Sequence, residues 1–62
     1  MKELIEPELE AFRSRAELEI KRSGDLSFNY MGLIITVFLE NGKAKKIKCS
    51  DGNGCTEYYT LK

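Results

Sequence analysis

Leu33-Ile34-Ile35-Thr36-Val37-Phe38-Leu39-Glu40-Asn41-Gly42-Lys43 decides the fold. Its first seven residues are nearly all β-branched, aromatic or aliphatic, which predicts a strand. Because they are apolar at odd and even positions alike, they predict a central strand covered on both faces. Asn41-Gly42 then predicts a two-residue type I′ hairpin, since both central positions of that turn require positive φ. Downstream, Lys43 to Cys49 reads as the returning strand, Ser50-Asp51-Gly52-Asn53-Gly54 as a second turn, and Cys55 to Leu61 as the last strand. Upstream, Ser27-Phe28-Asn29-Tyr30 alternates with the period of a strand, and Met31-Gly32 interrupts it. A glycine there predicts a bend or a tight turn, so Leu26 to Leu39 is one bent strand or two.

The period changes nearer the N-terminus. Pro7 suits a first helical turn, and good helix formers run on through Arg22. Ser23-Gly24-Asp25 predicts the stop, with Gly24 as a left-handed cap. Ile5, Leu9, Phe12, Ala16 and Ile20 fall in one stripe, the expected core face. A thinner stripe, Leu4, Ala11 and Leu18, lies nearly opposite and is a second candidate contact. The expected fold is α+β: a single domain over residues 1–62, with one N-terminal amphipathic helix packed on a three- to four-stranded antiparallel β-meander.

A regular two-residue hairpin pairs Glu40 with Lys43, Phe38 with Lys45, Thr36 with Ile47 and Ile34 with Cys49. Ile34, Phe38, Ile47 and Cys49 then share the face expected to meet the helix. The other face carries Leu33, Ile35, Val37 and Leu39, crossed by Lys46 and Lys48. One helix covers one face of a small sheet, so these four aliphatic residues are expected to form an exposed patch rimmed by the two lysines. Apolar centre and charged rim are interface anatomy. The expectation is a small, regulatory, non-catalytic protein-binding domain of adaptor or inhibitor type, homodimeric or bound to a protein partner.

Size also points to a partner. A chain of 62 residues hides only about 60% of the surface its unfolded form exposes, and such scaffolds lean on a disulfide, a metal or a second subunit. Cys49 and Cys55 flank the second turn, and small buried hydrophobes are the favoured role over a disulfide. Two cysteines without histidine cannot complete a zinc site in one chain, and Asp51-Gly52-Asn53-Gly54 lacks the bidentate Glu of a calcium loop. No cofactor or metal is expected. With no histidine, no His-dependent triad forms, and a chain this short offers little room for a reaction pocket, so no enzyme is expected.

Charge yields the main alternative. Glu3, Glu6, Glu8 and Glu10 crowd the N-terminus, whereas Lys43, Lys45, Lys46 and Lys48, with no acid in residues 41–50, make a basic strip with Lys62. With Tyr58 and Tyr59 on a neighbouring strand, that strip could grip single-stranded nucleic acid by phosphate contact and stacking. The zero net charge and pI near 6.2 weigh against it, and lysines on an edge strand also block aggregation. No apolar run approaches the ~20 residues of a membrane span, and the first residues carry acids and a proline where a signal peptide would be apolar. The expectation is a cytoplasmic protein with no membrane partner.

Overall fold

The computed structural model describes residues 3–62. Helix α1 (Glu6–Glu19) is followed by strands β1 (Gly24–Tyr30), β2 (Leu33–Glu40), β3 (Lys43–Ser50) and β4 (Thr56–Thr60). The strands form one antiparallel meander in the order β1-β2-β3-β4, with α1 across one face. The α+β arrangement is therefore the one the sequence predicts, with four strands.

Both tight turns follow from backbone sign. Asn41 (φ 54°) and Gly42 (φ 79°) make the expected type I′ hairpin. Met31 (φ 49°) and Gly32 (φ 79°) make a second turn of the same kind, so residues 26–39 are two strands. Met31 takes the left-handed conformation without the local hydrogen bonding that lets asparagine tolerate it.

Helix α1 begins at Glu6, with Pro7 in its first turn. Glu8 reaches back to accept the Ile5 amide at 3.0 Å, and its second oxygen accepts the Tyr30 hydroxyl of β1. One carboxylate thus caps the helix and fastens it to the sheet; the hydrogen bond to Glu8 raises the Tyr30 pKa. The helix ends at Glu19, earlier than the expected Arg22. Ile20 turns extended (φ −116°, ψ 115°) and packs against the core, while Lys21 Nζ caps the Glu17 carbonyl at 3.0 Å. Gly24 opens β1 and is not the helix cap.

The decisive difference lies in the β2–β3 register. Leu39 pairs with Ala44 as expected, but Phe38 pairs with Lys46, Val37 with Ile47, Thr36 with Lys48 and Ile35 with Cys49. Lys45 is the extra residue of a β-bulge, which shifts every later pair by one and so turns every later side chain of β3 to the other face. The physical reason is in the sequence: two residues separate Ala44 from Ile47, so Ala44, Ile47 and Cys49 share one face only if one of the two is left out of the ladder. The bulge places Ala44, Ile47 and Cys49 beside Leu33, Ile35, Val37 and Leu39, all on the helix side.

That face is the core. Ile35, Val37, Ile47 and Cys49 are fully buried, and Leu33 and Leu39 are 6% and 5% exposed. Each buried aliphatic side chain contributes about 1.5–3 kcal/mol. From the helix, Phe12 and Ala16 close over them, and Phe12 meets Phe28 and Tyr30 edge-on at 5.2 and 4.9 Å. Leu4 is buried too, before the helix starts; its amide is held by the Tyr59 hydroxyl at 3.1 Å. Ile5, expected in the core stripe, is exposed.

Candidate functional site

Four of the six residues expected on the partner surface are not on a surface. Leu33, Ile35, Val37 and Leu39 are sealed between α1 and the sheet, and the bulge separates them from Lys46 and Lys48, which point the other way. The second expected contact also divides: Leu4 is buried, whereas Ala11 and Leu18 stay on the outer side of the helix, Leu18 at 73% exposure. The premise of a large exposed aliphatic patch is corrected accordingly.

The surface left uncovered by any described residue is the opposite face of the sheet. Alternation from the buried positions places there Asp25, Ser27 and Asn29 of β1, Ile34, Thr36 and Phe38 of β2, Lys46, Lys48 and Ser50 of β3, and Thr56, Tyr58 and Thr60 of β4. Three cross-strand rows result. Asp25, Phe38, Lys46 and Thr60 form one; Ser27, Thr36, Lys48 and Tyr58 the next; Asn29, Ile34, Ser50 and Thr56 the third.

Lys46 lies in the first of these rows, on the strand between those of Phe38 and Tyr58. Its Nζ lies 5.3 Å from the Phe38 ring centroid and 5.1 Å from that of Tyr58, within cation–π range of both. Tyr58 is 59% exposed and Ile34 45%. Beside them the Ser27 and Thr36 hydroxyls share a hydrogen bond at 2.9 Å. The arrangement offers two rings for flat apolar or π-faced groups, two ammonium groups for anions and a row of hydroxyls for hydrogen bonds. Phe38 was not singled out by sequence, because the regular register buries it. Recognising the bulge moves it outward.

The expected basic strip does not act as one. Lys43 and Lys45 line a cleft of about 410 Å³ between α1 and the start of β3, together with Arg13, Glu17, Leu61 and Lys62. This cleft is roomier than the chain length suggests. Its acid is already engaged: Glu17 Oε2 accepts the Ala44 amide at 2.8 Å and lies 3.8 Å from Arg13 Nε, while Arg13 also holds Glu10 at 3.1 Å. The bulge thus sends adjacent lysines to different places, Lys45 to the cleft rim and Lys46 to the open face.

Groups with displaced ionisation occupy structural positions. Burial, then the neighbouring Glu57 carboxylate, raises the Cys49 thiol pKa. Burial raises that of Tyr59, whose hydroxyl donates to Glu57 at 3.0 Å. The Asn53 amide lowers that of Asp51, whose Oδ1 accepts the N–H of Asn53 at 2.8 Å and of Cys55 at 3.2 Å, which is the chemistry of a turn. Cys49 pairs across the ladder with Glu57, not Cys55; both thiols are free, Cys49 buried and Cys55 exposed. Among the described residues no group of three or more carboxylates or thiols is placed to hold a metal, and no helix is long and apolar enough to cross a membrane.

Comparison with protein-family profiles, with curated proteins and with solved structures gives no match.

Proposed function

We propose that this chain is a small non-catalytic binding module whose open sheet face grips single-stranded nucleic acid. The supporting observation is Lys46 standing between the Phe38 and Tyr58 rings on the uncovered side of the sheet. Phosphates are neutralised by Lys46 and Lys48, bases stack on Tyr58 and Phe38, and the hydroxyls of Ser27 and Thr36 bond to sugar or base edges. Aromatic stacking is worth about 1–3 kcal/mol per base and is tolerant of sequence, so little base specificity is expected. The zero net charge is no obstacle to weak binding, because six of the ten acids lie in residues 3–19, on or next to the helix. Two free thiols suit a reducing, cytoplasmic setting.

The test is polarisation of labelled oligothymidylate in about 50 mM salt, where weak phosphate contacts survive. Two lysine–phosphate contacts predict a slope of log K against log salt of about −1.4. Tyr58→Ala should weaken binding roughly tenfold, within the range of one lost stack, and Lys46→Glu with Lys48→Glu should abolish it. No binding by the unmodified chain at that salt overturns the proposal.

A second reading keeps the adaptor or inhibitor role and sets a protein on the same face. It is favoured by Ile34, nearly half exposed two rows from Phe38, in a row that carries no charge. Ile34→Lys separates the two: it strengthens or spares oligonucleotide binding and destroys an apolar protein contact.

A further inference from the structure

The sheet ends in two edges, and they are guarded unequally. Strand β4 is five residues long, turns the charge of Glu57 toward the helix side, and is tied at Tyr59 to the amide of Leu4. Short length, an inward charge and a covering segment are devices that stop edges from pairing. Strand β1 is fastened too, at Tyr30 by Glu8, but it turns no charge toward the helix side. It is seven residues long, holds no lysine or proline, and carries Asp25 as its lone charge.

Its geometry suits a copy of itself. The two-residue turn at Met31-Gly32 makes Tyr30 and Leu33 the closing hydrogen-bonded pair. Alternation then commits Tyr30, Phe28 and Leu26 to β2, and leaves the amides and carbonyls of Asp25, Ser27 and Asn29 pointing outward. Ser27 is the middle of those three. A twofold axis beside it pairs Ser27 with Ser27 of a second copy, and Asp25 with Asn29 of that copy in both directions. No like charges meet; a carboxylate meets an amide. On the helix side Leu26 falls opposite Phe28 of the second copy, in the closer, non-hydrogen-bonded position. Both are half-buried residues at the rim of the core, with the Arg15 guanidinium 4.3 Å over the Phe28 ring.

We infer that β1 is a self-pairing edge: two copies join antiparallel about Ser27 into one continuous eight-stranded sheet, with both helices on the same side. The contact is isologous and closes at two subunits, since each copy has one such edge. About six main-chain hydrogen bonds form, two for each hydrogen-bonded pair. The expected dimer differs from the one the sequence suggested: it uses a strand edge, not the faces of Leu33, Ile35, Val37 and Leu39. It does not depend on what the open face binds.

Sedimentation equilibrium of the full chain, without nucleic acid, tests it between roughly 10 μM and 1 mM, the range of a weak association. A monomer–dimer equilibrium is expected. Ser27→Ala, which removes the hydroxyl but keeps the outward amide, leaves it unchanged. Ser27→Pro removes an amide that does not serve β2, and gives a folded monomer by far-UV circular dichroism. Asn29→Asp sets like charges opposite each other twice and raises the dimer Kd about fivefold, whereas Asn29→Lys faces Asp25 and lowers it similarly. These two exposed changes decide the matter if Ser27→Pro fails to fold. A chain that stays monomeric throughout, a folded Ser27→Pro that dimerises, or Asn29 variants that do not shift Kd in opposite directions overturn the inference.

Discussion

Deleting Lys45 should leave the fold standing. Residues 44–49 read Ala-Lys-Lys-Ile-Lys-Cys, so the deletion gives Ala-Lys-Ile-Lys-Cys, a strict alternation. Ala44, Ile47 and Cys49 then keep their places opposite Leu39, Val37 and Ile35 without a bulge. At risk are the Leu61 amide bond to the Lys45 carbonyl at 2.9 Å and the Glu17 bond to the Ala44 amide at 2.8 Å. At about 1 kcal/mol each, the loss is about 1–2 kcal/mol. Deleting Lys48 instead carries Cys49 to the open face and Ser50 toward the core, and displaces the β3–β4 hairpin. A domain of this size holds roughly 3–9 kcal/mol in all, at about 0.05–0.15 kcal/mol per residue, so the second deletion should leave little cooperative folding. Urea unfolding followed by far-UV circular dichroism separates them. With a slope near 1 kcal/mol per molar for a small domain, removing Lys45 lowers the midpoint by about 1–2 M, while removing Lys48 abolishes the transition. Equal losses from the two deletions, or collapse on removing Lys45, would refute the view that the bulge serves to align the two lysines with an alternating core.

Further outcomes follow from the backbone, the core and the helix clasp. Met31→Asn should raise the urea midpoint by about 0.5–1 M, since asparagine tolerates the left-handed backbone and Met31 is exposed, whereas Gly42→Ala should lower it, because a methyl there stands 3.3 Å from the Lys21 carbonyl oxygen at positive φ. Val37→Glu should give an unfolded chain by circular dichroism, not a folded monomer, because the carboxylate enters a site with no exposed surface. Folding stability should fall as pH rises above about 10, the ordinary tyrosine value, because the Tyr30 hydroxyl donates to Glu8 and its folded pKa is raised: below the unfolded pKa the contribution is complete, and it is lost as pH climbs through the folded one. Tyr30→Phe should flatten part of that alkaline decline in denaturation midpoints.

Much of the architecture is legible in the residues. The Leu33–Leu39 run, Asn41-Gly42 and Pro7 each act through local backbone chemistry, and each marks its element. The orientation of the sheet is not legible by regular alternation, for a reason equally visible: alternation breaks across Ala44-Lys45-Lys46-Ile47, where the apolar spacing is three and then two. One unpaired residue exchanges inside for outside along the rest of the strand. The helix end is hidden because Lys21 and Arg22 are good helix formers, while the draw on Ile20 is tertiary: it leaves the helix to pack on the core. Phe38 and Tyr58 share a face through the register of three strands, which no window of sequence displays.

The amide of Leu4 and the hydroxyl of Tyr59, separated by 55 positions along the chain, touch at 3.1 Å. The path of the polypeptide is therefore nearly a closed ring. For residues 3–62, a short glycine–serine bridge from Lys62 back to Glu3, with a new opening at the exposed Gly52-Asn53-Gly54 loop, would yield a circular permutant with the same core and the same strand neighbours. In such a permutant β4 precedes α1, so the clasp on Leu4 changes from a contact across 55 positions of chain to one between near neighbours, and the loop-closure entropy it demands falls with it.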